Sequence, residues 1–398
     1  MKITNVRLRQ LEGKLPYGGE FWENRLVRPI DVYPEHKAEP GLPLEYGRDE
    51  RGAYLLQAVF VHVETDEGLT GVFGPTNPPT AYFIATQIAP FIKGEDPTAT
   101  ERVWDKMYKY LIHSRKGHPM FAISAVDCAL WDLKGKWLGK PVYRLLGGPV
   151  RDSIPAYASA LGYSLDRERV AERVKGFVKE GYRATKWFFR YAPDDGEAGA
   201  RKNVELAETL REAAGDDVDI MLDAWNSWDV RYSLEMANRM AKYRPRWLEE
   251  PVKPDDISGY AWIRARSPVP ISGGEHEYTR WGAREYFERG AVDVYQADTY
   301  WAGGISEMVK ICALASAYDV QVIPHGASVP ANAHLSLAQP VTVTPLIEYL
   351  VKLNEILQFF LKNPVKPVNG IVSLGEAPGL GMEIDESKVE REEDLLFD

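Results

Sequence analysis

From about residue 154 to residue 350 the chain alternates between two patterns. Short, β-branched apolar runs are followed by amphipathic stretches long enough for a helix. The runs are IPAYASA (154–160), YRATKWF (182–188), VDIMLD (218–223), RWLEE (246–250), VPISGG (269–274), VDVYQAD (292–298), VQVIPH (320–325) and LIEYL (346–350). Runs this uniformly apolar are what parallel strands buried on both faces look like. The stretches between them, such as RERVAERVKGFVKEG and KNVELAETLREAAG, have helical period and stop at Gly, as helix C-termini do. The pattern predicts an α/β fold of the TIM-barrel type over residues 150–362.

The first 135 residues keep a different rhythm. KITNVRLRQ alternates like a strand, and YLLQAVFVHVETDEGLTGVFG reads as a hairpin turning at Asp66, Glu67 and Gly68. Helical stretches are expected near 80–93, 99–112 and 119–137. The last is apolar almost all round at its start, so it should be buried between domains. These elements predict an α+β domain before the barrel. The Gly- and Pro-rich stretch from Lys14 to Gly52 has no period and is too long for an ordinary connection. It is expected to form a flap, over about 18–52. The tail, 363–398, is rich in Pro and Gly and cannot extend the barrel; it is expected to return to the first domain.

Five of the strand runs end in an acid or a His, nearly on one beat. Asp223, Glu249 and Glu275 follow one another at 26-residue intervals; Asp298 comes 23 later and His325 27 after that. In a barrel the active site gathers at the C-terminal ends of different strands. Taken singly, each acid reads equally well as a helix cap; the register of all three favours a joint role. Neighbouring strands lie about 4.8 Å apart, so the three carboxylates can meet. Bare, they would repel and raise one another's pKa. A divalent cation relieves this, and all-oxygen ligation favours a hard ion such as Mg²⁺. On the next two strands Asp298 and His325 form a candidate dyad. A carboxylate on one ring nitrogen leaves the other as a general base. Lys186 ends the YRATK part of the second run, either facing a bound anion or solvated. His276 follows a candidate ligand and either touches substrate or packs. Trp187, Phe188 and Phe189 read as wall and core.

Composition narrows the partners. The 398 residues carry a net charge of −10 and show no basic stripe, which argues against nucleic acid. No apolar run reaches transmembrane length and MKITNVRLRQ has no signal-peptide core, so a cytoplasmic protein without a membrane partner is expected. The two cysteines, Cys128 and Cys312, sit among apolar neighbours and read as buried free thiols.

Together, MLDAW, WLEEP, SGGEH, QAD and IPHG resemble the motifs of the mandelate racemase subgroup of the enolase superfamily. Residues 124–148, SAVDCALWDLKGKWLGKPVYRLLGG, are similar to the stretch that joins capping domain to barrel there, and the likeness runs through the closing PGLGMEID. Within the subgroup the L-rhamnonate dehydratases are most similar, sharing the Glu275–His276 pair, PHGxSV and a late Glu matching Glu348. The resemblance implies a (β/α)7β barrel with an N-terminal α+β capping domain completed by the C-terminal tail. It implies Mg²⁺ on Asp223, Glu249 and Glu275, the His325–Asp298 dyad, and Glu348 as the acid steadying the enolate. The partner implied is a small-molecule sugar acid, and a homo-oligomer is expected. One departure concerns the flap: where those enzymes have a His near the N-terminus, this chain has Arg25 and Arg28. One of these is expected to reach the far end of the substrate.

The reaction implied is loss of the C2 proton of an aldonate to His325, departure of the 3-hydroxyl with His325 as a candidate acid, and tautomerisation to a 2-keto-3-deoxy acid. A racemase or epimerase would need a second base on strand two, where Phe188 stands in place of a second Lys. Galactonate, arabinonate, lyxonate and fuconate are alternative substrates, and a barrel that only binds ligands is a non-enzyme alternative.

Overall fold

The computed structural model describes residues 1–38 and 47–397. Two sheets organise them. The first is antiparallel, in the order β13-β1-β2-β3, built from β1 (Ile3–Leu15), β2 (Tyr54–Thr65), β3 (Thr70–Thr76) and, from the far end of the chain, β13 (Arg391–Asp394). β1 and β2 pair over almost their full length, from Ile3 opposite Thr65 to Leu15 opposite Tyr54. β13 adds its edge through Arg9 opposite Asp394. Helices at Pro78–Phe83, Ala89–Ile92, Thr100–Tyr110 and His118–Leu138 cover this sheet, the first two joined by a π turn at Ile84–Ile88. The helix at Pro78 starts on the side chain of Asn77, which accepts from Thr80 N. Its mates in the core include Leu11, Phe60 and Trp104.

The second sheet is the barrel. β4 (Ile154–Ser159), β5 (Ala184–Phe188), β6 (Asp219–Asp223), β7 (Trp247–Glu249), β8 (Ile271–Gly273), β9 (Val294–Tyr295), β10 (Gln321–Val322) and β11 (Ile347–Leu350) are all parallel, with a helix after each of the first seven. That is the (β/α)7β architecture. The ladder runs unbroken from β10 back to β4 and on to β11, which pairs with β4 through Glu348 opposite Tyr157. Between β10 and β11 a side chain makes the link: Gly326 N donates to Glu348 Oε2 at 2.8 Å.

The tail serves both sheets. β12 (Ile371–Val372) pairs antiparallel with the start of β4, and only β13 goes on to the first sheet.

The chain after Leu15 crosses the C-terminal face of the barrel. Glu23 N donates to Gly162 O at 2.8 Å and Val27 N to Phe189 O at 2.7 Å. Lys352 Nζ holds Glu23 Oε1 at 2.7 Å, and Lys37 Nζ holds Asp195 at 2.8 Å. Gly162 has φ +81°, and a Cβ there would run into the Trp22 ring, so the flap comes this close only because residue 162 is Gly. Short 3-10 turns at Pro29–Val32 and Pro34–Ala38 replace the irregular chain expected from the sequence. Residues 39–46 of the expected flap lie outside the described residues. Among the described residues no helix is long and apolar enough to cross a membrane.

Candidate active site

The strand ends deliver their acids to one place. Asp223 and Glu249 are register partners on β6 and β7, and Glu275 follows β8 by two residues. Ligand-capable oxygens of the three lie within 4.8 Å of one another, and all three side chains are buried. Lys186, on β5, points into the same space. Its Nζ is 3.1 Å from Asp223 Oδ2, 2.9 Å from Glu348 Oε1 and in contact with Glu249 Oε1. Thus one ammonium faces three carboxylates, with Glu275 adjoining. Lys186 is fully buried, so the solvated alternative is excluded.

The electrostatics follow from burial and crowding. Burial, countered by Lys186 and added to by Glu275, pushes Asp223 up to about 6. Burial and the neighbouring Glu250 carry Glu275 to about 7, against the pull of His325. Glu249 is raised well above its ordinary range by burial and by Asp223. Burial also raises Glu348, but Lys186 and His325 more than reverse this, and its carboxyl lies below its ordinary value. Lys186 is held charged: burial opposes this, but Glu249 and Glu348 prevail. The donor set is all oxygen and its net charge is negative even with Lys186 counted. Those are the conditions under which a hard divalent cation binds.

His325 lies across from these acids, its Nε2 3.9 Å from Glu275 Oε1. Asp298 Oδ2 is 3.6 Å from Nδ1, an ion-pair distance too long for a hydrogen bond. Asp298 instead accepts from Tyr300 N at 2.7 Å, Ala327 N at 3.0 Å and Asn332 Nδ2 at 3.1 Å. Burial would lower the His325 pKa, but Glu275 and Asp298 raise it to about 10. Trp301 packs its ring 4.4 Å from the imidazole.

A second His–carboxylate pair stands beside the first, and sequence reasoning missed half of it. His276 Nδ1 lies 2.9 and 3.0 Å from the two oxygens of Glu250, which also accepts from Asn226 Nδ2 at 2.7 Å. Glu250 was visible as the second Glu of RWLEE. Nothing in its spacing marked it, because it follows the strand end and turns with φ +42°.

The two flap arginines are placed differently from expectation. Arg25 Nη1 bonds Asp31 at 2.6 Å and its Nη2 bonds Lys37 O at 2.7 Å; Arg28 reaches His36 O at 2.9 Å and lies 3.5 Å from Asp31. A buried carboxylate within the flap draws both guanidinia inward, and neither lines the cavity at the barrel mouth. Leu26, between them, does.

Two family descriptions cover this architecture. "Enolase C-terminal domain-like" matches residues 169–388, and "Mandelate racemase / muconate lactonizing enzyme, N-terminal domain" matches residues 48–147. The chain belongs to the enolase superfamily, in its mandelate racemase group. An L-rhamnonate dehydratase from Saccharopolyspora erythraea is 36% identical over 97% of both chains. Among solved structures, the rhamnonate dehydratase from Gibberella zeae complexed with Mg is 31% identical, covers 97% of this chain and 95% of its own, and superposes with a TM-score of 0.83. The 3,6-anhydro-D-galactonate cycloisomerase from Zobellia galactanivorans is 27% identical, covers 98% and 100%, and has a TM-score of 0.78. In this superfamily member the cap supplies the cavity's far side, through residues such as Gln57, Thr76 and Asn77.

Proposed function

We propose that the protein is a Mg²⁺-dependent acid-sugar dehydratase, converting an aldonate to a 2-keto-3-deoxy acid, with L-rhamnonate or a close relative as substrate. The observation that carries this reading is the convergence of Asp223, Glu249 and Glu275 opposite His325, with no titratable side chain at position 188. Similarity to dehydratases over nearly the whole chain supports it.

Asp223, Glu249 and Glu275 would hold the cation. When bound, it supplies positive charge to the substrate carboxylate and stabilises the charge that develops as the C2 proton leaves. With Glu275 engaged by a cation, the main group that holds the imidazole protonated would be neutralised, and His325 Nε2 takes the C2 proton. Asp298, held by three donors, stands 3.6 Å from Nδ1 and acts on the base through its charge. Lys186 stays charged and balances the carboxylates. Glu348, ionised, steadies Lys186 and the Gly326 peptide. After proton abstraction His325 carries the proton that the departing 3-hydroxyl needs. A racemase would require a base on the other face of C2, where Phe188 has none.

Residues 1–135 and the tail 363–398 work in this reading as a cap over the barrel of 150–362. His276 borders the substrate, and Arg25 and Arg28 shape the flap rather than contact the sugar. A cytoplasmic homo-oligomer is expected, to be checked by light scattering and cell fractionation.

Screening a library of acid sugars with the Mg²⁺-loaded enzyme for 2-keto acid product tests the function. In deuterium oxide the product should form without any C2-inverted aldonate. Accumulation of the C2 epimer without keto acid would make the protein an epimerase.

A further inference from the structure

The imidazole of His325 has no hydrogen bond to set its plane. Among the described residues its Nδ1 is buried and without a hydrogen-bond partner. Asp298 stands 3.6 Å away and directs its carboxylate to Tyr300 N, Ala327 N and Asn332 Nδ2. On the other side Nε2 is 3.9 Å from Glu275. The backbone of His325 is fixed: Asn332 Nδ2 donates to its carbonyl at 2.7 Å, and its N–H donates to Gln296 O at 3.3 Å. The ring torsion is another matter. For a histidine it lies in a broad, roughly two-fold well, so a contact has to define the plane.

Trp301 makes that contact. Its ring centre lies 4.4 Å from that of His325, with the planes 32° apart. The indole is itself held in two ways. Its backbone closes the turn that begins at Asp298: Trp301 N donates to Asp298 O at 3.0 Å, and Tyr300 N to Asp298 Oδ1 at 2.7 Å. Its ring stacks with Phe121, on the cap helix His118–Leu138, at 5.6 Å and 22°. The Asp298 carboxylate thus builds the turn that presents the indole, and the cap reaches the base through two rings. A ring contact restrains the imidazole through its face and leaves Nε2 free to take a proton.

We propose that Trp301 is a positioning residue for the reaction: by stacking on His325 it sets the plane of the imidazole and so aims Nε2 at the C2 hydrogen. The proposal rests on the dehydratase reading for the role of His325 as base; the hold on the ring does not.

Trp301 also lines the cavity, so aiming the base has to be separated from touching the substrate. Trp301→Leu removes the flat face and Trp301→Phe keeps one. With the acid sugar that the wild type converts, Trp301→Leu should lower kcat about 10- to 100-fold, the scale of a misplaced reacting group, and leave KM within about 3-fold. Trp301→Phe should come back to within about 5-fold of wild-type kcat. Calorimetric binding of the same sugar to Mg²⁺-loaded His325→Asn should change less than about 3-fold when Trp301→Leu is added. A loss that falls on KM and on this binding makes Trp301 a substrate contact and overturns the proposal, as does a Phe variant as slow as the Leu variant. Crystal structures supply a readout without turnover. The His325 plane should coincide in wild type and Trp301→Phe, and in Trp301→Leu it should turn by more than about 20° or split between orientations. An unmoved ring in Trp301→Leu overturns the proposal whatever the kinetics. If the wild type converts no sugar acid and the ring still turns, the dehydratase reading falls and the hold on the ring stands. Should Trp301→Leu fail to fold, Phe121→Leu loosens the indole from the cap side and should shift the ring and lower kcat in the same direction; no change in either overturns the proposal.

Discussion

Two groups of buried carboxylates in this molecule are treated in opposite ways. At the barrel mouth Asp223, Glu249, Glu275 and Glu348 crowd around a single ammonium. At the seam between cap and barrel, Asp127 and Asp132 lie fully buried on the helix His118–Leu138. Here backbone N–H groups, a serine hydroxyl and one ammonium satisfy them. Asp127 accepts from Ser306 N at 2.9 Å and Ser306 Oγ at 2.6 Å; Asp132 accepts from Val72 N at 2.8 Å and Leu380 N at 2.7 Å, with Lys136 at 2.6 Å. Gly304, with φ +85°, lets its loop close on Asp127, where a Cβ would collide with the carboxylate. Donors directed at every oxygen make a joint, since nothing further can bind. Carboxylates facing one another make a site, since they are stable only with something else present. Buried acid alone therefore says little about function; the identity of its partners decides.

If the contrast is right, neutralising an acid should damage different properties in the two regions. Asp223→Asn should cost at least about 10³-fold in kcat, the scale of losing one preorganised electrostatic partner of the transition state. The melting temperature without metal should hold or rise, because a crowded charge has gone. Calorimetry with Mg²⁺ should show weakened binding. A variant that melted far lower and kept its turnover would place Asp223 with the joints. Asp127→Ala should do the reverse. It strands the Ser306 N–H and hydroxyl in an interior, a loss of about 2–4 kcal/mol in urea denaturation. The folded fraction should keep kcat within about 3-fold, since Asp127 touches no residue of the mouth. His325→Asn falls between: about 10²–10⁴ in turnover, loss of C2 hydrogen exchange, and little change in stability.

The mouth was far more legible in the sequence than the seam. Parallel strands buried on both faces produce apolar runs with sharp ends, so Asp223, Glu249, Glu275, Asp298 and His325 stood out by register alone. The joint acids carry no such mark. Asp127 and Asp132 sit within FAISAVDCALWDLKG, where the one available signal is an acid in an otherwise apolar helix. The partners of Asp132, Val72 and Leu380, are distant in sequence. The flap misled for a local reason. Arg25 and Arg28 look like substrate-binding cations until Asp31, in the same segment, is seen to take them both. Cavity residues from the cap, such as Thr76 and Asn77, were hidden because that domain keeps no barrel beat. Leu26 was hidden because a lone Leu in an irregular stretch has no period to belong to.

A smaller effect separates the regions by pH. Burial pushes Asp127 up to about 7, although its bonds to Ser306 pull the other way; in the unfolded chain it titrates near 3.9. A carboxyl raised on folding contributes stability that is fully present below the unfolded pKa and is lost as pH climbs through the folded one. Between pH 5 and pH 7 the seam should thus lose on the order of 2 kcal/mol. Asp223 and Glu275, raised to about 6 and about 7, slope the same way in the metal-free protein. The two regions part when Mg²⁺ is added: a cation keeps the mouth carboxylates ionised and stabilises the fold by mass action, so their share of the slope should vanish. The share from Asp127 should remain, because no ion reaches it. Asp127→Asn keeps an acceptor for Ser306 N and removes the titration. Urea denaturation at pH 5, 6 and 7 with saturating Mg²⁺ should therefore fall with pH in the wild type and run flatter in Asp127→Asn. Parallel curves for the two proteins would mean that the seam acid is already ionised at pH 5, and that its donors satisfy it more completely than its burial implies.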